Sequence, residues 1–294
     1  MKAAFKNNPF RYTVFFASLL CMFAIAGSAF AEKRVLYNGY LTIETILYFE
    51  EETKEFMPDV QKIKEKSYEE DDSGQIKRMV NTSTGGVLSY LGAGMREYQV
   101  YLPAGYDETK TYPALMLLHD DGYTGASLVE MWKRGADKVG LILLGPTSLG
   151  GGWLMDRDAG TVLEAVARDA AQTYSIDLNR LYLFGYGRGG ALASHMPVFE
   201  PDLFAAIAVH QGESANANMV EGMEKTSPKT PISFFVNLDE PEVMTSVKQS
   251  VEAYAKWKFP VHLYIFEKPD NWYYHNENSI NLEVLRYFSK HKKR

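Results

Sequence analysis

The chain has 294 residues, of which 46% are hydrophobic and 23% charged, and its formal net charge is −6. This composition is typical of a globular protein, and the length predicts one large domain. The negative charge disfavours nucleic acid and anionic membrane surfaces as partners.

The first 31 residues have the pattern of a cleaved signal peptide. Three basic residues precede an apolar stretch at 14–27, and 29–31 read Ala-Phe-Ala, which fits an A-x-A cleavage site. The apolar stretch is shorter than the ~20 residues of a spanning helix. We therefore expect a secreted or periplasmic protein with no stable membrane insertion. Cleavage would remove Cys21, the only cysteine, and with it any thiolate or disulfide chemistry.

Residues 32–94 are predicted to form an N-terminal extension ahead of a main domain at 95–294. The apolar and β-branched stretch at 35–49 indicates a strand. The stretch at 50–72 is dense in Glu, Lys and Asp, which is typical of a solvated helix or loop.

From residue 95 onward, short apolar runs alternate with helical patterns, which predicts an α/β fold with a mostly parallel central sheet flanked by helices. The predicted strands lie near 96–103, 112–119, 140–146, 180–185, 204–210, 231–237 and 259–267. The predicted helices are 126–139, 159–174, 241–257 and 276–291.

A glycine cluster follows the predicted strand at 180–185. The chain reads Gly-Tyr-Gly-Arg-Gly over 185–189, and a helical pattern starts directly after it. Gly187 is the central residue, and Gly185 and Gly189 would let neighbouring backbones approach closely. The cluster lies after several strands rather than after the first, so it is a poor match to a dinucleotide-binding turn.

With these residues, the chain resembles the α/β-hydrolase superfamily. It is most similar to the secreted esterases that include polyhydroxybutyrate depolymerase-like and feruloyl-esterase-like proteins. The resemblance covers roughly 95–293 and implies the α/β-hydrolase fold without a cofactor. Its landmarks, in the order and spacing of the family, are 98–106, 117–119, Trp132, 150–153, 174–185 and 201–207.

The resemblance implies a degenerate catalytic triad. Gly187 stands where the family has its nucleophilic serine. The acid position falls on Glu240, with Asp239 beside it, and the histidine position falls on Asn271. His275 follows four residues later and is an alternative base if the loop is arranged differently.

The oxyanion hole of such enzymes would use the backbone N–H of Arg188 and the loop after the predicted strand at 112–119. Asp120 and Asp121 replace the glycines that are common there, and negative charge opposes oxyanion stabilisation. The acidic residues near the cleft give little support for a metal site, and no metal site is predicted. The predicted cleft residues are His119, Trp153 and Tyr186.

Three functions remain open. The first is an esterase-like protein without serine-hydrolase activity whose cleft binds a small molecule, a carbohydrate ester or a peptide, because glycine offers no nucleophile. The second is an active ester hydrolase that uses an unrecognised nucleophile or an activated water. The third is an interaction protein that binds a partner through the extension at 32–94.

Overall fold

Ten strands form a single sheet in the computed structural model of the chain. In chain order they are β1 (Glu32–Tyr37), β2 (Leu41–Ile46), β3 (Gln75–Asn81), β4 (Met95–Tyr101), β5 (Tyr112–Leu118), β6 (Ile142–Pro146), β7 (Ile176–Tyr186), β8 (Ala206–His210), β9 (Ile232–Asn237) and β10 (Val261–Phe266). The structure describes residues 32–37, 41–46, 74–81, 95–150, 152–212, 222–237, 241–266 and 273–293.

The sheet is mostly parallel, as predicted. Its strand order is β1-β2-β10-β9-β8-β7-β5-β6-β4-β3. Neighbours from β2 to β6 in this order pair in parallel, whereas β1, β4 and β3 join through antiparallel pairs. Strands β6, β8 and β9 are buried along their whole length, because a parallel sheet carries helices on both faces.

Helices cover the sheet in two layers. They are α1 (Gly125–Val139), α2 (Met155–Asp158), α3 (Thr161–Thr173), α4 (Arg188–Phe199), α5 (Pro241–Lys256) and α6 (Tyr273–Phe288). One buried apolar cluster joins α1 and α6 to one face of the sheet, and a second joins α3, α4 and α5 to the other. The four predicted helices and the helix after the glycine cluster are confirmed. Within the described ranges, no helix is both long and apolar enough to cross a membrane.

The described strands of the predicted extension differ from the prediction. The stretch at 35–49 was expected to hold one strand, but the chain forms the antiparallel pair of β1 and β2, which extends the sheet beside β10. Strand β3 pairs with β4 at the opposite edge. Residues 32–37, 41–46 and 75–81 are therefore strands of the central sheet, while the predicted charged segment at 50–72 lies outside the described residues.

The strand order places a crevice at the carboxyl ends of β5 and β7. From β5 the chain adds β6 on one side and then returns to add β7 on the other. Such a reversal separates the two loops that follow the strands, and ligands of open parallel sheets bind in the crevice between them. Here the two loops are 119–124, which leads into α1, and the turn at Gly187, which leads into α4.

Candidate functional site

The turn between β7 and α4 consists of Gly187 alone. Its backbone has φ 53° and ψ −118°, a conformation that residues other than glycine rarely adopt. A Cβ at Gly185 would collide with the backbone of Gly189, and one at Gly189 would collide with the carbonyl of Leu118. The flanking glycines are therefore required for α4 to pack directly against β5 and β7, and the predicted strand-turn-helix is present.

Asp120 fills the space directly above Gly187. The backbone N–H of Arg188 donates to Asp120 Oδ1 at 2.8 Å. A Cβ built on Gly187 would lie 2.7 Å from Asp120 Oδ2 and closer still to Oδ1 and Cγ. Gly187 supplies no side-chain cap to α4, so the carboxylate of Asp120 accepts from the first N–H of that helix instead.

A second contact links the same two segments at the surface. Arg188 Nε lies 3.5 Å from Asp121 Oδ2, and the two side chains are 58% and 50% exposed. A pair this exposed contributes at most about 1 kcal/mol. Asp121 also lies close to the segment formed by residues 150 and 152–153, called the glycine-rich loop below, because a Cβ on Gly152 would be 2.8 Å from Asp121 Oδ1.

His119 supports the loop from below. The backbone N–H of Ser148 donates to its Nε2 at 3.0 Å, so the ring proton is on Nδ1, which donates to the carbonyl of Asp120 at 2.7 Å. The indole N–H of Trp153 donates to the carbonyl of His119 at 2.8 Å. Burial lowers the pKa of His119, which favours this neutral form.

The three predicted cleft residues differ in burial. His119 and Trp153 are only 1% and 3% exposed, so they hold the crevice loops in place instead of facing solvent. Tyr186 is partly buried at the end of β7, where its ring packs 5.1 Å from that of His210. Of the three predicted cleft residues, Tyr186 alone is partly exposed.

A buried ion pair behind the glycine-rich loop was missed in the sequence. Arg96 Nη2 donates to Asp158 Oδ1 at 2.8 Å, and both side chains are 0% exposed. Asp158 also accepts from Arg157 Nη2 at 2.7 Å and from the backbone N–H of Leu154 at 2.8 Å. The same Arg157 nitrogen donates to the carbonyl of Gly152 at 2.5 Å. Asp158 therefore anchors the loop, and its partner Arg96 on β4 had no local sequence signal.

The structure does not describe the side chains at the predicted acid and base positions. Asp239, Glu240 and Asn271 lie outside them. His275 is the third residue of α6, so its backbone belongs to a helix rather than to the loop before one, and its side chain is outside the described part of the chain. Among the described residues, no three His, Cys, Asp or Glu side chains group closely enough to hold a metal ion.

Ser194 is not placed to replace a serine at the turn. It is fully buried in α4, and its hydroxyl donates to the carbonyl of Ala191 at 2.7 Å. Its carbonyl accepts from the hydroxyl of Tyr254. Ser194 therefore contributes to the packing of α4 against α5.

His210 links the turn at Gly187 to strand β8. Its buried imidazole should also make the stability of the fold depend on pH. The carbonyl of His210 accepts the N–H of Gly187 at 3.0 Å. The imidazole is 0% exposed at the end of β8. Burial lowers its pKa from 6.5 to about 3, because the charged ring would lose its hydration.

The expected result is a loss of stability as the pH falls. Between pH 6.5 and about 3 the unfolded chain binds a proton at this position that the folded chain does not. The contribution of neutral His210 to the free energy of unfolding is therefore fully present above the pKa of the unfolded state. It is lost, by up to a few kcal/mol, as the pH falls toward the pKa of His210 in the folded state. Urea unfolding measured as a function of pH tests this. The variant His210→Phe keeps an aromatic ring and should show a shallower acid loss; an unchanged pH profile would contradict the assignment.

Comparison with known proteins identifies the architecture. No family model matches the chain. "Probable feruloyl esterase C" of Aspergillus terreus (strain NIH 2624 / FGSC A1156) is 27% identical over 140 residues, which cover 45% of this chain and 50% of that protein. The match thus spans half the length of that relative. The crystal structure of a thermostable esterase superposes with a TM-score of 0.59 at 19% identity, covering 75% of this chain and 63% of its own.

A ferulic acid esterase from Anaeromyces mucronatus, solved in complex with ferulic acid, superposes with a TM-score of 0.55 at 14% identity. The superposition covers 76% of this chain and 93% of that one. The chain has an esterase-like α/β-hydrolase fold. In this α/β-hydrolase fold, the turn at Gly187 and the loop at 119–124 stand on either side of the sheet's crevice, and Asp120 crosses from one to the other.

Proposed function

We propose that the chain is a secreted esterase homologue that has no serine-hydrolase activity and binds its ligand without cleaving it. The observation that carries the proposal is the conformation of Gly187. Its backbone forms the sharp strand-to-helix turn on which esterases of this fold present a serine hydroxyl, yet it has no side chain. Without a nucleophile no acyl-enzyme forms.

The surroundings of the turn support the same proposal. In an esterase of this fold, the N–H after the nucleophile stabilises the oxyanion of the tetrahedral intermediate. In this chain that N–H belongs to Arg188 and already donates to the carboxylate of Asp120. A negative charge at the position of a developing oxyanion opposes its formation, so the hole is unsuited to acyl transfer while Asp120 occupies it.

The proposed ligand is a small ester or peptide. The named relative is a feruloyl esterase, and one structural neighbour was solved with ferulic acid, which makes an aromatic ester of a carbohydrate the first candidate. Leu149 and Leu154 flank the glycine-rich loop in the sequence and are 42% and 54% exposed, so this segment offers apolar side chains for contact with a ligand. Secretion rests on the predicted signal peptide, and the proposal requires no cofactor.

Incubation with a fluorophosphonate probe, followed by intact mass measurement, tests the missing nucleophile. We expect no covalent adduct and no hydrolysis of p-nitrophenyl acetate above the rate without protein. A serine esterase treated in parallel provides the positive control. A stoichiometric adduct on the purified protein would overturn the proposal.

Binding without turnover is tested separately with methyl ferulate. Calorimetric titration should give a saturable signal, and chromatography of the same mixture should show no release of ferulic acid. Release of ferulic acid in proportion to protein concentration would contradict the proposal of an inactive homologue. Saturable binding that is lost in a variant with a bulky side chain at Gly152 would place the ligand in the crevice.

A further inference from the structure

The side chain of Asp120 points toward Gly187 and is partly buried, although a charged loop residue could be fully exposed to solvent. Its carboxylate is partly buried, and it occupies the volume that any side chain on Gly187 would require. It also accepts the N–H of Arg188, a residue 68 positions away in the chain. One side chain therefore covers both the tip of the turn and the hydrogen-bond donor beside it.

We propose that Asp120 is a side-chain latch, which closes the turn at Gly187 from within the molecule and must rotate away before a ligand group can reach the N–H of Arg188. This inference rests on the proposed function in one respect only, namely that the crevice above Gly187 is the ligand site. In the closed state the carboxylate of Asp120 takes the place of a ligand oxygen. The apparent affinity of a ligand that binds the N–H of Arg188 is then its intrinsic affinity multiplied by the fraction of molecules in which the latch is open.

The moving part is confined to the side chain of Asp120. Its carbonyl accepts from His119 Nδ1 at 2.7 Å and from the N–H of Tyr123 at 3.2 Å, so the backbone is held at this position. His119 is itself buried and fixed by Ser148, and Tyr123 is only 9% exposed. Opening is therefore a rotation about the Cα–Cβ bond of Asp120 and not a movement of the loop.

Neighbouring charges act on the carboxylate of Asp120 in opposite directions. The N-terminus of α4 attracts it through the N–H of Arg188 and the partial positive charge of the helix end. Asp121 adds a neighbouring negative charge, which the exposed guanidinium of Arg188 only partly offsets at 3.5 Å. A minor open state populated at about 0.1–10% is the usual result of a difference of a few kcal/mol between two conformations.

Amide hydrogen exchange and chemical shifts of Arg188, followed by NMR, test the latch without any substrate. The variant Asp120→Gly removes the acceptor, and exchange of the Arg188 amide should accelerate at least about tenfold. Sodium acetate, compared with sodium chloride at equal ionic strength, should then shift this amide in Asp120→Gly, because a free carboxylate can enter the opened position. Wild-type protein should show no acetate-specific shift.

Two matched variants separate the latch from general charge effects. Asp121→Gly removes a neighbouring carboxylate but leaves Asp120 in place, and it should behave like the wild type. Asp120→Asn keeps a side-chain oxygen of the same size as an acceptor, and it should remain closed to acetate.

Equal acetate shifts in wild type and Asp120→Gly would overturn the latch, because Asp120 would then exclude nothing. Unchanged exchange of the Arg188 amide in Asp120→Gly would also overturn it. Neither result bears on serine-hydrolase activity, which the fluorophosphonate experiment decides alone. Should Asp120→Gly fail to fold, Asp120→Ala also removes the acceptor, and an exchange rate of the Arg188 amide in Asp120→Ala as slow as in Asp121→Gly would overturn the latch.

Discussion

Replacing Gly187 by alanine should destabilise the protein by about 2–6 kcal/mol. Two effects combine in this expectation. A residue with a Cβ is strained at φ 53° and ψ −118°, which costs about 1–3 kcal/mol. The new Cβ would also overlap the carboxylate of Asp120, and overpacking of this kind costs about 1–3 kcal/mol. Urea unfolding of the wild type and of Gly187→Ala measures the sum.

A double-mutant cycle separates the two effects. In the background of Asp120→Gly the overlap is absent, so that Gly187→Ala should cost only the backbone strain, and the coupling between the positions should be about 1–3 kcal/mol. Asp121→Gly provides the matched background, because it removes a carboxylate of the same loop, whereas the three atoms nearest to a Cβ on Gly187 all belong to Asp120. Additive effects of Gly187→Ala and Asp120→Gly would contradict the steric account.

The same overlap changes how an attempt to restore catalysis must be designed. Gly187→Ser places a hydroxyl-bearing side chain against the carboxylate of Asp120, so that the single variant tests packing as much as chemistry. The double variant Gly187→Ser with Asp120→Gly frees the N–H of Arg188 as well. We expect it to remain inactive toward p-nitrophenyl acetate, because the predicted base position is Asn271. Substantial activity would contradict Asn271 as the base position and favour the alternative, His275.

The sequence predicted the framework of the site because the framework depends on local patterns. Apolar runs and glycine junctions placed β4 to β10 within a few residues, and the glycine cluster at 185–189 predicted the turn from β7 into α4. These features follow from the spacing of residues along the chain, so they can be derived without knowledge of the tertiary structure.

The position of the Asp120 side chain over Gly187 could not be derived from local patterns. The sequence placed Asp120 and Asp121 in one loop near the oxyanion position and predicted unfavourable charge from both. The structure distinguishes them: Asp120 accepts the N–H of Arg188, whereas Asp121 contacts only its exposed side chain. That distinction depends on side-chain directions across 67 or 68 residues of separation, which no local pattern contains.

The strands at the edges of the sheet show a similar limit. Strands β1 and β2 have apolar residues that predicted a strand, but nothing in them indicates that β2 would pair with β10, which lies at the other end of the sequence. Strand β3 contains both charged and apolar residues without a regular alternation, and it joins β4 at the far edge. Pairing partners at such separations are fixed by the whole sheet.

Replacing Asp158 by alanine should destabilise the protein by about 3–5 kcal/mol. Asp158 is the anion of a buried cluster that contains Arg96 and Arg157, and the side chains of Asp158 and Arg96 are 0% exposed. Burial lowers the pKa of Arg96, while the charge of Asp158 acts in the opposite direction. Without Asp158, Arg96 would remain buried with no compensating charge, and the backbone N–H of Leu154 would lose its acceptor.

The matched control is the double variant Arg96→Met with Asp158→Leu, because replacing a buried ion pair by apolar residues of similar size is often neutral or stabilising. We expect it to recover most of the stability lost in Asp158→Ala when both are measured by urea unfolding. The loop itself should respond differently: Arg157 bonds both Asp158 and the carbonyl of Gly152, so the double variant should still loosen the segment beside Asp121. Faster exchange of the Trp153 indole N–H, which bonds to His119, would report this loosening even where global stability is restored. If Asp158→Ala and the double variant are equally unstable, the loss comes from packing of the loop and not from an uncompensated charge on Arg96.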